Sequence, residues 1–250
     1  MHETSVALAD KRCLITGGSR GLGLALGVAF AENGARVAFT YSTSDIDAEV
    51  ARERITAAGT APLVFKGSVA DAAHVHATVA DVLERWQGID VLVNNAAIHQ
   101  VLPLALLEED DWDAVMAVNV KGPFLFSRAV LKGMIRARSG HILNVGSFAE
   151  GRIVDAPIHY AASKSALRGL TEAMAREVGR YGIQVNLLAP GLLDVGLAQA
   201  LPLRQVDEYR RHSALGRLAT AAEVARTAVF LVSDRNRFMS GAKVVLDGGL

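Results

Sequence analysis

Short apolar runs and longer helix-length stretches alternate along the whole chain, separated by glycine or polar turns. The runs Arg12–Thr16, Arg36–Tyr41, Pro62–Lys66, Ile89–Val93, His141–Val145, Ile183–Leu188 and Lys243–Leu246 predict strands. Their apolar character is nearly continuous rather than alternating, as a strand covered on both faces requires. Between them, stretches such as Ala48–Ala58 and Asp71–Trp86 have the length and periodicity of helices. Strand and helix in strict alternation predict an α/β fold, a doubly wound parallel sheet of about seven strands joined by right-handed crossovers.

No proline-rich linker, low-complexity tract or fixed-period repeat divides the pattern, so residues 1–250 read as one domain. The least regular part is 191–216, where Gly, Leu, Pro and Arg mix without a period. A connection that long predicts a functional lid over the substrate rather than a passive loop. Beyond it, Thr220 and Glu223 have the spacing of a capping box opening a helix that runs through Leu231.

Composition narrows the function classes. Apolar residues make up 51% and charged residues 21%, an ordinary globular balance. With 26 basic and 26 acidic residues the formal net charge is zero, which offers no basic footprint for nucleic acid. The N-terminal stretch lacks the apolar run of a signal peptide. No window holds the roughly 18 uninterrupted apolar residues of a membrane helix, so the chain is expected to be soluble, cytoplasmic and away from membranes. The single Cys13 sits in an apolar strand and reads as a packed side chain. None of the histidines has a metal-ligand spacing, so no metal is expected.

The first predicted strand runs into Thr16-Gly17-Gly18-Ser19-Arg20-Gly21-Leu22-Gly23, and a helical pattern follows. Glycines at 17, 21 and 23 permit a tight turn and a close approach of backbone to a pyrophosphate. The helix that follows would aim its N-terminal N–H groups and dipole at that anion. A glycine cluster between the first strand and the first helix therefore indicates a dinucleotide site in a Rossmann-type domain. An acidic residue at the end of the second strand would accept bonds from a ribose 2′-hydroxyl and repel a 2′-phosphate. Here the stretch is Phe39-Thr40-Tyr41-Ser42, with no carboxylate before Asp45, while Arg20 lies inside the glycine turn. That charge pattern favours NADP(H) over NAD(H).

Tyr160 and Lys164 stand four residues apart in a segment whose Leu167, Leu170, Met174 and Val178 form an apolar helical stripe. Both side chains therefore project from one helix face. Ser147 follows the strand His141–Val145, and Asn119 lies in Val118-Asn119-Val120-Lys121-Gly122. A hydride delivered to a carbonyl carbon leaves negative charge on oxygen that must be stabilised and protonated. An ammonium beside a tyrosine lowers its ordinary pKa of about 10, which would bring Tyr160 into range as general acid–base.

Taken together, these residues resemble the short-chain dehydrogenase/reductase family. The glycine turn is similar to its TGxxxGxG signature, and the likeness runs from the first strand to Val245-Leu246-Asp247-Gly248-Gly249. The resemblance implies a catalytic group of Asn119, Ser147, Tyr160 and Lys164. In it Ser147 donates to the substrate oxygen, Lys164 also contacts the nicotinamide ribose, and Asn119 holds a water that links Lys164 to a proton relay. It further implies a cofactor site built from Gly17, Ser19, Arg20, Gly21, Leu22, Gly23, Tyr41, Ser42, Ser68, Val69, Asn95, Ala96, Ala97, Tyr160, Lys164, Pro190, Gly191 and Leu193.

Three positions depart from the family pattern. Ala97 replaces the glycine of the NNAG segment in Asn94-Asn95-Ala96-Ala97, and Ser68 stands where the family has an aspartate near the adenine. Val195 occupies the place of a threonine that binds the carboxamide. Within the family the wording is most similar to 3-oxoacyl-[acyl-carrier-protein] reductases, in Ser163-Lys164-Ser165-Ala166-Leu167, Arg176-Glu177-Val178 and Gly216-Arg217-Leu218. That likeness implies a 3-oxoacyl thioester presented by an acyl carrier protein, with Lys132 at one basic landing position and Tyr181 in place of the basic residue at another, Arg180 next to it. A place in fatty acid or polyketide biosynthesis would follow. Relatives commonly assemble as homotetramers through helices that correspond here to 120–136 and 160–179, and through the C-terminal strand region. The alternatives are an alcohol dehydrogenase or ketoreductase acting on a small or polyketide-like substrate, and a dinucleotide-binding protein without catalysis.

Overall fold

The computed structural model describes residues 6–150, 156–196 and 201–250. Seven strands form one parallel sheet: β1 (Arg12–Ile15), β2 (Arg36–Tyr41), β3 (Leu63–Lys66), β4 (Val91–Asn94), β5 (Gly140–Val145), β6 (Ile183–Pro190) and β7 (Lys243–Leu246). Their spatial order is β3-β2-β1-β4-β5-β6-β7, every pair parallel. The helices between them are α1 (Gly21–Glu32), α2 (Asp45–Ala58), α3 (Ala72–Trp86), α4 (Glu109–Met116), α5 (Gly122–Ala137), α6 (Ile158–Val178), α7 (Leu203–His212) and α8 (Ala221–Leu231).

The continuous apolar runs in the sequence have a simple cause in this architecture. Successive strand side chains point to opposite faces, and here each face carries its own core. Cys13, Ile15, Val37, Phe39, Val91, Val93, Leu143 and Val145 pack with residues of α1, α2 and α8. Their neighbours Leu14, Ala38, Leu92 and Ile142 pack with α3 and α5 on the other side. The edge strands β3 and β7 are covered less completely.

Boundaries moved where polar capping outweighed the apolar signal. α2 begins at Asp45 rather than at 48, because the Ser44 hydroxyl accepts from Asp47 N and the acids Asp45 and Asp47 occupy the first turn. β4 begins two residues later than its apolar run; at its start Asp90 bonds through its backbone to Arg12 O and His141 N and through its carboxylate to the Arg12 side chain. The capping box at α8 forms as expected, with Thr220 and Glu223 bonding each other's backbone.

Two features were not legible in the apolar pattern. The stretch 191–216 is not without regular structure: it contains α7. Its apolar signal is weak because only Val206 of that helix is buried. Second, α4 continues through a π-helical turn at Ala117–Lys121 into α5, giving a 29-residue helical run that is long and apolar enough to cross a membrane. Charged residues interrupt it, which is why no unbroken apolar window stood out. Its contacts with β4, β5, α3 and α6 place it in the helical layer over the sheet.

Candidate active site

The sheet order reverses between β1 and β4, and at such a switch point the loops after the two strands diverge to leave a crevice at the strands' carboxyl ends. The glycine turn follows β1 and Asn95 follows β4, so both meet there. The Thr16 hydroxyl oxygen accepts from the backbone N–H of Asn95 (3.0 Å) and Ala96 (3.1 Å). In return Asn95 Nδ2 donates to the carbonyls of Thr16 (2.9 Å) and Gly17 (3.0 Å). Asn95, expected at the cofactor, thus braces the turn that would receive it. Gly17 has φ +67°, and a Cβ there would lie 2.9 Å from Ala96 Cα. A Cβ on Gly23 would collide with the Gly17 carbonyl. Larger side chains are therefore excluded where backbone lies against backbone.

Arg20 occupies the N-cap of α1 in extended conformation, without a side-chain cap on the first-turn N–H groups and with no acidic residue in that turn. Uncapped donors at the positive end of a helix dipole suit a pyrophosphate. The residues present therefore fit a dinucleotide on two counts, the glycine cradle and the open helix terminus.

At the end of β2 the structure adds a group that the sequence reading missed. The register sets Tyr41 opposite Lys66 of β3. The Lys66 ammonium lies 2.7 Å from Asp45, and the Tyr41 hydroxyl donates to the same carboxylate at 2.7 Å. Those two bonds hold the Asp45 carboxyl below its ordinary pKa. The Arg20 guanidinium is exposed, 3.9 Å from Asp47. Around this end stand two cations, two carboxylates and the hydroxyls of Tyr41 and Ser42. No local sequence signal marks Lys66, because strand register alone brings it to Tyr41.

The remaining cofactor candidates are dispersed around the crevice. Ser68 is exposed, and its hydroxyl accepts from Ala70 N at 3.2 Å. Val69 is buried against Gly122. Ala97 is absent from the residues with positive φ, so its replacement of glycine costs no backbone strain. Pro190 ends β6, and Gly191 N donates to Leu246 O at 2.7 Å. Leu193 bridges Ala219, and Val195 packs on the core beside α8. The Asp194 carboxylate accepts from Ala221 N at 3.3 Å.

The loop after β6 also meets α7. The Tyr209 hydroxyl donates to Asp247 O at 3.1 Å, and its ring packs edge-on against Phe148 with centroids 5.5 Å apart. This part of the predicted lid is thereby docked one residue from Ser147. Residues 197–200 of the lid lie outside the described residues.

On α6, Tyr160 and Lys164 share a face as their spacing predicts. Lys164 is 3% exposed; its ammonium donates to Val145 O at 2.7 Å and stands 5.6 Å from the centre of the Tyr160 ring. Burial pushes Lys164 down to about 8. The expected lowering of Tyr160 does not occur. Desolvation pushes its hydroxyl above the ordinary range, the Glu150 carboxylate adds to that, and a hydrogen bond with Ser147 opposes it. The Lys164 ammonium, 5.6 Å from the ring centre, does not offset that desolvation. The structure thus brings Ser147, Tyr160 and Lys164 together.

Asn119 sits in the π-helical turn, a distortion that re-aims side chains. Its Oδ1 accepts from Ile98 N at 2.9 Å, and its Nδ2 donates to Ile98 O at 2.9 Å and to the Ser163 hydroxyl at 3.0 Å. The Ser163 hydroxyl in turn donates to Tyr160 O at 2.7 Å. Asn119 therefore ties the loop after β4 to the backbone of the catalytic helix. His99, on that loop, sets its ring edge-on to Tyr160 at 6.3 Å. His159 is fully buried, with neither ring nitrogen hydrogen-bonded among the described residues.

Comparison with known proteins identifies the family. A family model described as enoyl-(acyl carrier protein) reductase matches residues 17–250. The 3-oxoacyl-[acyl-carrier-protein] reductase of Staphylococcus aureus strain Mu50 is 34% identical over 240 residues, 96% of this chain and 98% of that protein. A gluconate 5-dehydrogenase from Burkholderia cenocepacia J2315, solved with NADP and tartrate, superposes with a TM-score of 0.91 at 35% identity, covering 98% of this chain and 96% of that one. A short-chain dehydrogenase/reductase from Serratia marcescens superposes with a TM-score of 0.91 at 34% identity, over 97% of this chain and 98% of the other. With matches that span the glycine turn and the Tyr160–Lys164 helix alike, the chain belongs to the short-chain dehydrogenase/reductase family, dinucleotide-binding oxidoreductases acting on CH–OH and C=O groups.

Proposed function

We propose that this chain reduces a ketone to an alcohol with NADPH, and that the ketone is a 3-oxoacyl thioester carried by an acyl carrier protein. The observation that carries the reading is the buried Lys164 beside Tyr160 on one face of α6, with Ser147 opposite. When bound, a nicotinamide supplies hydride to the carbonyl carbon. Tyr160, held protonated by desolvation, then gives its proton to the developing alkoxide as general acid. Ser147 donates a hydrogen bond to the same oxygen, and Lys164 holds positive charge behind the phenol. Asn119 acts as a positioning residue, through Ile98 and Ser163.

NADPH is favoured over NADH because Arg20 is exposed beside the glycine turn and Lys66 takes up the Asp45 carboxylate that would otherwise repel a 2′-phosphate. The cofactor runs from Gly17–Gly23 and Tyr41–Ser42, past Ser68–Val69 and Asn95–Ala97, to Pro190–Leu193. The carrier-protein substrate is supported by the Staphylococcus aureus relative. Residues 191–216 close over the substrate as a lid, and the chain works as a cytoplasmic homotetramer. Exposed Trp112 and Phe124 on α4 and α5, with Phe230, Phe238 and Val245 near the C-terminal edge, support that self-association.

One observation favours a second reading. His99 sets an imidazole edge-on to the Tyr160 ring, which suits a small polar ketone, and the Burkholderia neighbour was solved with tartrate. The test follows NADPH absorbance with an acetoacetyl thioester, a panel of small polar ketones, and NADH as control. Turnover of the thioester with NADPH alone is expected. Turnover of polar ketones only would move the assignment to the second reading, and tight NADPH binding without turnover of any carbonyl would end the catalytic one.

A further inference from the structure

Glu150 closes the short turn that carries Ser147, and its carboxylate is the most deeply enclosed acid near the site: the side chain is 0% exposed. Three elements meet on it. Its backbone N–H donates to Ser147 O at 3.4 Å, within the turn after β5. Its carbonyl accepts from the hydroxyl of Ser165, the neighbour of Lys164 on α6, at 3.3 Å. Its Oε1 lies 2.8 Å from the ammonium of Lys243, the first residue of β7. That ion pair is at charge-assisted hydrogen-bond distance, and Oε2 has no hydrogen-bond partner among the described residues. A Cβ on Gly146 would stand 3.0 Å from Oε2, so the residue before Ser147 must be small for the carboxylate to fit.

We propose that Glu150 is a positioning residue of this active site: anchored by Lys243, it fixes the Ser147 turn against α6 and keeps a buried negative charge beside the Tyr160–Lys164 pair. The inference rests on the reductase reading. A buried carboxylate held by one cation among the described residues is a costly arrangement, and an apolar pair of similar volume would fill the space at least as stably. Its consequence is electrostatic. The charged and titratable groups facing Glu150 are Lys243 from β7 and Tyr160, Lys164 and Arg168 from α6. Burial raises the Glu150 pKa, and Lys243 is the larger of the cations that oppose this. Among the described residues, Glu150 is the charge that acts on Tyr160 and on Lys164, raising both. It therefore counters the desolvation that would strip the proton from Lys164, and it keeps the proton on Tyr160.

The sign of the test follows. Without the Glu150 charge, both Tyr160 and Lys164 lose their protons at lower pH, so reduction loses its acid earlier. The experiment compares kcat/KM for NADPH-dependent ketone reduction by wild type, Glu150→Gln and Glu150→Asp from about pH 6 to about pH 10. In Glu150→Gln the alkaline limb should move toward acid by about half a pH unit or more, whereas Glu150→Asp, which keeps the charge, should return it to the wild-type position. An ultraviolet titration of tyrosinate, free of substrate, should show one tyrosine of Glu150→Gln ionising earlier. If Glu150→Gln fails to fold, Glu150→Gln/Lys243→Met leaves no buried charge unpaired and should shift the limb the same way, since Lys243 does not act on Tyr160 or Lys164 directly. Lowered turnover with an unshifted limb and unshifted tyrosinate overturns the proposal and leaves the reductase reading standing. A wild type inactive on every ketone overturns that reading, and the tyrosinate titration then still decides the electrostatic role of Glu150.

Discussion

The Lys164 ammonium donates a 2.7 Å hydrogen bond to the carbonyl oxygen of Val145, the last residue of β5. A buried cation on the catalytic helix is thus tied to the strand end that launches the Ser147 turn. The two halves of the active site, 13 residues apart at Ser147 and Tyr160, are held in register by that bond and by the Ser165 hydroxyl on the Glu150 carbonyl. The arrangement accounts for a lysine that stays buried although burial pushes it down to about 8.

Tyr160→Phe removes the proton donor and little else, because the ring keeps its place beside His99. Turnover should fall by about two to four orders of magnitude, with the NADPH dissociation constant changed less than about threefold. Steady-state rates beside a fluorescence titration of NADPH check both. Near wild-type turnover would show that another group supplies the proton.

Lys164→Met carries a signed pH dependence. The folded-state pKa of about 8 lies below the ordinary 10.5. Between those values the unfolded chain binds more protons, so the contribution of Lys164 to stability rises with pH through that window, and below about 8 the buried charge costs its full amount. The thermal midpoint of Lys164→Met relative to wild type should therefore be most favourable near neutrality, and the gap should narrow as pH climbs from about 8 toward 10.5. Calorimetry of both proteins at matched pH values measures it; a constant gap would mean that Lys164 is not desolvated.

Gly23→Ala places a methyl group against the Gly17 carbonyl. Overpacking of this kind costs about 1–3 kcal/mol, and it opens the turn from Asn95. Urea unfolding should show the loss, and NADPH binding should weaken by at least about tenfold. Unchanged binding would place the phosphates elsewhere.

Arg20→Ala removes the exposed guanidinium beside the glycine turn. The KM for NADPH should rise by about tenfold, one charge-assisted contact, while that for NADH stays near its original value. Equal changes for both cofactors would assign Arg20 to the shared pyrophosphate instead.

Much of this protein was legible along the chain, for reasons that differ from element to element. β1, β2 and β7 stood out because burial on both faces or strong β-formers leave an unbroken apolar run. α8 was legible from its capping box, a local motif whose partners are three residues apart. Tyr160 and Lys164 were legible because helical geometry turns a spacing of four into one face. α7 was not, since a helix with one buried residue has almost no apolar stripe. The start of β4 was misread because Ile89 belongs to the core without belonging to the ladder.

The sequence by itself determined the parallel α/β architecture, the glycine turn and the residue types of the catalytic group, because each rests on periodicity or on contacts within one turn of chain. Only the tertiary structure decided which charges act on that group. Glu150 meets Lys243, Tyr41 meets Lys66, and Asn119 meets Ser163 across long intervals of chain. Sheet register and helix packing set those meetings, and no spacing along the chain encodes them. The protonation state of Tyr160 was decided there too, because desolvation is a property of what surrounds a side chain in space.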